Sequence, residues 1–271
     1  MNQKDLTKSE RKAFKAQRRI EKEQNKISKE SGSSNPTHDK DITILCVRFG
    51  NKYGSEYVKK LRNMVSRHLT VPYTFACLTD DPTPIDGVKI IHQKNKGYTR
   101  GWWHKVHMFD PNLPIEGRIL YFDLDVIIHN NIDRLTKYDT NNFIGIRDFN
   151  RKFHSSWKHL NSSVMAWNHG TQKHIWDQFR SNTSTAIRMH GDQDWIWKTS
   201  KDRLKFWPDL WIQSYKWEIR SKQELFVTNG RRNFKEIKND IVPHQDCSVA
   251  VFHGDPNPEN VKDKFVVDNW K

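Results

Sequence analysis

The chain of 271 residues carries 46 lysines and arginines against 32 acidic residues, a formal charge of +14, with 35% hydrophobic and 12% aromatic side chains. That much apolar material supports one large domain or two small ones and excludes wholesale disorder. No run approaches the roughly 18 apolar residues of a membrane span, and the N-terminus lacks the roughly 7–15-residue apolar stretch of a signal peptide, so the expected address is cytoplasmic.

Residues 1–40 hold 11 basic and 6 acidic side chains and only Leu6, Phe14, Ile20 and Ile27 as sizeable apolar residues, and they close on Ser31-Gly-Ser-Ser-Asn-Pro36. This stretch reads as a basic tail and linker, disordered or transiently helical, with peripheral contact to a membrane or partner as its alternative role. The remaining positive charge lies in the body, where it suits nucleic acid, an anionic surface or a phosphorylated small molecule alike. Cys46, Cys77 and Cys247 form no Cys-x-x-Cys pair and read as buried free thiols.

The pattern changes at Ile42, so 41–271 is read as one domain. Ile42 to Phe49 is an apolar run suited to a buried strand, and Tyr57, Val58, Leu61, Val65 and Leu69 follow at helical spacing. Tyr73–Leu78 and Val88–Ile91 are the next expected strands, Trp102–Phe109 is expected to be helical, and Ile119–Phe122 is a strand again. Phe143–Ile146, Val164–Trp167 and Val249–Phe252 are later strands, with helices over Thr171–Phe179 and around Trp195–Trp197. Alternation of strand and helix predicts an α/β fold.

The segment Arg118-Ile-Leu-Tyr-Phe-Asp-Leu-Asp-Val-Ile-Ile-His129 places Asp123 and Asp125 at the end of an apolar strand, where residues i and i+2 of an extended chain reach one cation. Asp-x-Asp recurs at Asp39/Asp41 and Asp192/Asp194, but only Asp123/Asp125 stands where a buried strand delivers acids to a sheet edge, the usual ligand position of an open α/β sheet. Acids that merely end a strand and cap a turn are the structural alternative.

That strand, preceded by Gly101-Trp-Trp-His-Lys-Val-His-Met-Phe109, resembles the metal-dependent glycosyltransferases of the A fold, in particular the glycogenin and bacterial galactosyltransferase group, family 8 of the sugar-nucleotide enzymes. The resemblance implies a single Rossmann-like nucleotide-sugar transferase domain with a mixed central sheet. It implies Mn²⁺ or Mg²⁺ held by Asp123 and Asp125 against the diphosphate of a nucleotide sugar, with Leu124 between them in the donor site. Hard carboxylate and phosphate oxygens suit such a cation. Val249-Ala-Val-Phe-His-Gly-Asp-Pro-Asn-Pro258 is similar to the group's closing His-Gly-Pro-Pro element, which makes His253 the third metal ligand and sets the Gly254 backbone against phosphate. The group often has a lysine between the prolines; this chain has Asn257, with Lys262 or Lys264 as substitutes.

Gly191-Asp-Gln-Asp-Trp-Ile-Trp197 is similar to the Asp-Gln-Asp of the retaining members, which lies below the transferred sugar, and implies catalytic roles for Asp192 and Gln193. A glutamine amide is not basic, so Gln193 favours retention over inversion. Asp192 also reads simply as a helix N-cap. Leu160-Asn-Ser-Ser-Val-Met-Ala-Trp167 resembles the group's donor-sugar strand and assigns Asn161 to the sugar, with Ser163 where a glycine is usual; an edge strand is the alternative. Arg48 and Asp80 are the candidates for base and ribose, and Lys105 for phosphate or donor sugar; Asp80 before Pro82 also suits a turn, and Lys105 a surface lysine.

The expected function is transfer of a sugar from a nucleotide-sugar donor, UDP by resemblance, to a glycan, lipid or protein acceptor. A metal-dependent phosphohydrolase or nuclease using Asp123/Asp125 is the alternative. No recognised signature supports a nucleic-acid-binding module.

Overall fold

The computed structural model describes residues 42–98, 100–220, 224–228, 231–235 and 242–271, the strands 224–228 and 231–235 by their backbone; the expected tail lies outside the described residues. In chain order the elements are β1 (Ile42–Arg48), α1 (Ser55–His68), β2 (Thr74–Thr79), β3 (Lys89–His92), a 3₁₀ segment (Gly101–Phe109), β4 (Arg118–Phe122), β5 (Val126–Ile128), α2 (Asp133–Lys137), β6 (Phe143–Arg147), β7 (Leu160–Asn168), α3 (Lys173–Ser181), α4 (Thr183–Ala186), α5 (Asp192–Ser200), β8 (Leu204–Phe206), β9 (Ile212–Ser214), β10 (Glu224–Thr228), β11 (Arg231–Lys235), β12 (Val249–Val251) and α6 (Lys264–Asn269).

The main sheet has the order β3-β2-β1-β4-β7-β6-β8. Its β3, β2, β1 and β4 run parallel, β7 is antiparallel to both β4 and β6, and β6 and β8 are parallel, which is the expected mixed sheet. Leaving β1, the chain builds β2 and β3 on one side and then returns to pair β4 on the other. The reversal opens a crevice outside the carboxyl ends of β1 and β4, the position at which open α/β sheets take their ligands. β7 lies inside this sheet, between β4 and β6, and is not an edge strand.

Alternation along the strands divides the core. Ile44, Cys46, Leu120, Phe122, Val164 and Ala166 face α1 and the second sheet, where Tyr57, Val58, Leu61, Met64 and Val65 of α1 are buried. Their neighbours Leu45, Ile119, Tyr121, Met165 and Trp167 face the other way, onto Trp103, Val106 and Phe109 of the 3₁₀ segment and Ile175, Phe179, Trp195 and Ile196 of α3 and α5. A period of two along a strand produces this division, since successive side chains point to opposite faces. The three cysteines are free and buried.

A second sheet, β5-β12-β9, begins directly after the acids, with β12 antiparallel to β5 and parallel to β9. β5, β8 and β9 have three residues each and carry no pattern long enough to announce themselves in the sequence. Trp102–Phe109 is helical as expected, in the tighter 3₁₀ form. Among the described residues no helix is long and apolar enough to cross a membrane.

Gly145 is buried in β6 where β7 slips register, and a Cβ on it would stand 2.4 Å from Leu160 Cδ1. Gly145→Ala is therefore expected to cost about 1–3 kcal/mol by overpacking. Calorimetry checks it, and an unchanged melting temperature contradicts it.

Candidate functional site

The crevice at the ends of β1 and β4 is a cleft of about 360 Å³, its wall including Arg48, Tyr53, Trp102, Lys105, Asp123, Asp125 and Asp192. β4 ends at Phe122, so the two acids stand in the turn between β4 and β5 and not on the strand. Leu124 between them is 2% exposed and packs into the core under the second sheet, which anchors the turn and leaves both carboxylates at the cleft. The backbone of Asp123 is fixed from β7, its N–H donating to Ser163 O at 2.8 Å.

Lys105 lies on the 3₁₀ segment with its amine 2.8 Å from Asp123 Oδ1, 3.4 Å from Asp192 Oδ2 and 2.9 Å from Ser162 Oγ. Burial opposes its charge, but Asp123 and Asp192 outweigh burial and hold the amine above its ordinary range. Lys105 is thus an internal counter-ion and not a surface lysine. Asp123 Oδ1 also accepts from the Tyr121 hydroxyl at 2.5 Å. Asp192 is the first residue of α5, whose N-cap is Gly191; its Oδ2 accepts from Ser162 Oγ at 3.0 Å. The capping reading of Asp192 is therefore corrected: the carboxylate leaves the helix end to meet Ser162 and Lys105. Burial raises its pKa, and Lys105 opposes the rise. Gln193, the next residue, is half-buried and is not among the residues that line the cleft.

Across the cleft, Asp125 Oδ2 accepts from the Tyr53 hydroxyl at 2.9 Å. Burial, and then the charge of Asp123, push the Asp125 carboxyl up to about 6, against the pull of the Tyr53 hydrogen bond. Arg48 lines the cleft but is engaged, with Nε donating to Tyr53 O at 3.0 Å and Nη1 to Asp81 Oδ2 at 3.0 Å. Asp80 does not line it: its carboxylate accepts from Gly50 N at 3.2 Å and Asn95 Nδ2 at 2.8 Å, tying together the loops at the cleft mouth. Asn161 is buried in β7, where its Oδ1 accepts from Ser163 N at 3.1 Å.

His253 follows β12, whose Val251 pairs with Val126, so the histidine leaves its strand beside the acid-bearing turn; Phe252 N donates to Asp125 O at 3.3 Å. Its imidazole stacks on Phe149 with centroids 5.3 Å apart, and Nε2 lies 2.7 Å from Ser214 Oγ. Among the described residues no three His, Cys, Asp or Glu side chains come together as a metal-binding group. The backbone brings His253 to the two acids, while its side chain is held by Ser214. The carboxylate pair itself suits a hard divalent cation: two acids two residues apart, one raised by burial and by the other's charge, gain from added positive charge. Gly254 holds φ +66° with Lys216 against it. Lys264 pairs with Asp268 on α6.

Tyr53, Tyr121, Ser162, Trp102 and Lys216 did not stand out in the sequence. Tyr53 follows the β1 run by five positions and Ser162 sits inside a recognisable motif, but neither residue type announces a partner that distant in the chain.

No protein-family model matches the chain, and no curated protein matches it. Solved structures do. The bifunctional glycosyltransferase WbbM aligns over 87% of this chain and 50% of its own, with TM-score 0.57 and 12% identity. The galactosyltransferase LgtC, in complex with donor and acceptor sugar analogues, aligns over 81% of this chain and 90% of its own, with TM-score 0.54 and 11% identity. The glycosyltransferase GlyE of Streptococcus pneumoniae aligns over 64% of this chain at TM-score 0.47 and 17% identity, and the chain spans 46% of its length. The likeness is one of fold: the domain is an α/β domain of the glycosyltransferase A type, as the motifs led one to expect.

In the unfolded chain Asp125 ionises near the ordinary 3.8, and in the fold near 6. Its favourable contribution to stability is thus present below the first value and lost as pH rises through the second. With chelator present, Asp125→Asn is expected to melt a few degrees above wild type at pH 7.5 and level with it below pH 4. Coincident melts at pH 7.5 contradict the assignment.

Proposed function

We propose that the chain is a glycosyltransferase that moves a sugar from a nucleotide-sugar donor, a UDP-sugar by the family resemblance alone, to a hydroxyl of a glycan, lipid or protein acceptor, with retention of configuration. One observation carries the reading: the amine of Lys105 joins Asp123 of the Asp-Leu-Asp segment to Asp192 of the Asp-Gln-Asp segment at the floor of one cleft. Two motifs far apart in sequence meet where an α/β sheet of this type binds ligands. The fold shared with LgtC and WbbM supports the same reading.

Asp123 and Asp125 would hold Mn²⁺ or Mg²⁺, with His253 as third ligand in place of its present bond to Ser214. When bound, the cation neutralises charge on the departing nucleoside diphosphate. Arg48 and Tyr53 line the side of the cleft on which the nucleoside would lie, near Asp80 in the adjoining loop. Leu124 sets the spacing of the two acids, and the Gly254 turn offers backbone to phosphate. Lys105 stands between diphosphate and sugar, opposes the rise that burial imposes on the Asp192 pKa, and leaves that carboxylate to orient the sugar from below together with Asn161. Gln193 would lie near the anomeric carbon; with no basic group in its amide, acceptor attack from the leaving-group face is the course that retains configuration. The buried free thiols support a reducing, cytoplasmic address. The basic tail remains the candidate for peripheral membrane contact.

Isothermal titration of UDP, then GDP, with Mn²⁺ and with chelator tests the reading. Wild type is expected to bind UDP only with the cation, and Asp125→Asn to lose at least about tenfold in that affinity. Binding of neither nucleotide overturns the reading in favour of a metal-dependent phosphohydrolase or nuclease. Asp192→Asn is expected to keep UDP affinity within about twofold while sugar turnover falls at least about a hundredfold, the signature of an interaction made at the reacting sugar. Turnover by that variant near the wild-type rate removes Asp192 from the catalytic set.

A further inference from the structure

The second sheet, which begins at the acids, brings in a lysine that no motif contains. β9 ends at Ser214 and the chain turns at once through a single π-turn, Tyr215–Ile219. Such turns are rare and recur at functional sites. This one is held from several sides. Ser214 Oγ accepts from Trp217 N at 3.0 Å, and the Glu218 carboxylate accepts from Ser214 N at 2.8 Å and from Arg151 Nη2 at 3.1 Å. The Tyr215 ring stacks on Phe252 with centroids 4.3 Å apart, and its hydroxyl donates to Asp263.

The fixed turn aims Lys216 at the segment that follows β12. β9 and β12 are parallel neighbours, Ser214 opposite Val251, so Lys216 and Gly254 leave adjacent strands side by side. The amine donates to Asp255 O at 3.1 Å and would stand 3.5 Å from a Cβ placed on Gly254. A glycine in the left-handed region keeps the backbone open on the side the ammonium approaches. An ammonium has three donors, and one carbonyl occupies one of them. In the same turn the chain has Asn257 between its prolines, where the resembling transferases often carry a lysine. Of the two lysines that follow, Lys264 is paired with Asp268.

We propose that Lys216, delivered by the π-turn after β9, supplies the ammonium that holds the donor's diphosphate over Gly254, in place of a lysine within the turn itself. The proposal rests on the glycosyltransferase reading of the cleft. It makes Lys216 a binding residue for the phosphate farther from the nucleoside, so its loss acts on diphosphates and spares monophosphates.

The experiment is titration of UDP and UMP, each with Mn²⁺, on wild type, Lys216→Met, Lys262→Met, Lys264→Met and the double variant Lys216→Met/Asn257→Lys, with melting curves for each protein. Lys216→Met is expected to melt with wild type, to lose about tenfold or more in UDP affinity, and to change UMP affinity by less than about twofold. The double variant is expected to regain the preference for UDP over UMP. A folded Lys216→Met protein with the wild-type ratio of UDP to UMP affinity overturns the proposal and leaves the transferase reading standing, as does loss of that ratio in Lys262→Met or Lys264→Met alone. A wild-type protein that binds neither nucleotide overturns both.

Discussion

Gathering Asp123, Asp125 and Asp192 at the floor of one cleft is unfavourable unless positive charge stands among them, because a partly dehydrated carboxylate is raised both by burial and by its like-charged neighbours. The amine of Lys105 meets this constraint, in contact with Asp123 and Asp192 and hydrogen-bonded to Ser162. Asp125, out of its direct contact, is the acid raised to about 6. The distribution is uneven in a useful way: one end of the acid cluster is satisfied by a fixed internal ammonium, and the other is left with a tyrosine hydroxyl, where an added cation gains most.

The backbone arrangement follows from how β4 ends. After Phe122 the chain leaves the main sheet, buries Leu124 and resumes as β5 in the second sheet, so the acids occupy the step between two sheets. The second sheet then carries β12 and β9 beside that step, which is how His253, Gly254 and Lys216, from remote parts of the chain, come to one side of it. On the opposite side the loop after β1 is clamped by Asp80 to Gly50 and Asn95 and by Arg48 to Tyr53 and Asp81. Loops whose backbone donors are already satisfied hold a cleft open without a ligand, at less ordering cost when one binds.

Much of this is legible in the residues alone. The apolar runs from Ile42 and from Ile119 became β1 and β4, the spacing from Tyr57 to Val65 became α1, and Asp123, Asp125 and Asp192 of the Asp-Leu-Asp and Asp-Gln-Asp segments came to line one cleft. Local pattern reports which residues are buried and on which face, and it did so even where the helix over Trp102–Phe109 took the 3₁₀ form. It set the acids at the end of β4 but not in a turn between two sheets, because a three-residue strand such as β5 has no periodicity to read, and the capping alternative for Asp192 falls to Gly191.

By itself, then, the sequence determined the layered α/β architecture, the burial of its strands and the identity of the acids, since these depend on residue type and short-range spacing. Only the tertiary structure decided that Lys105 is an internal counter-ion, that Asp80 and Arg48 spend their charge on loops, that His253 is held by Ser214, and that Lys216 and not Lys264 stands at Gly254. Those outcomes depend on which side chains the sheet order brings within a few ångströms. A side chain's partner across the fold leaves no mark on the residues beside it in the chain.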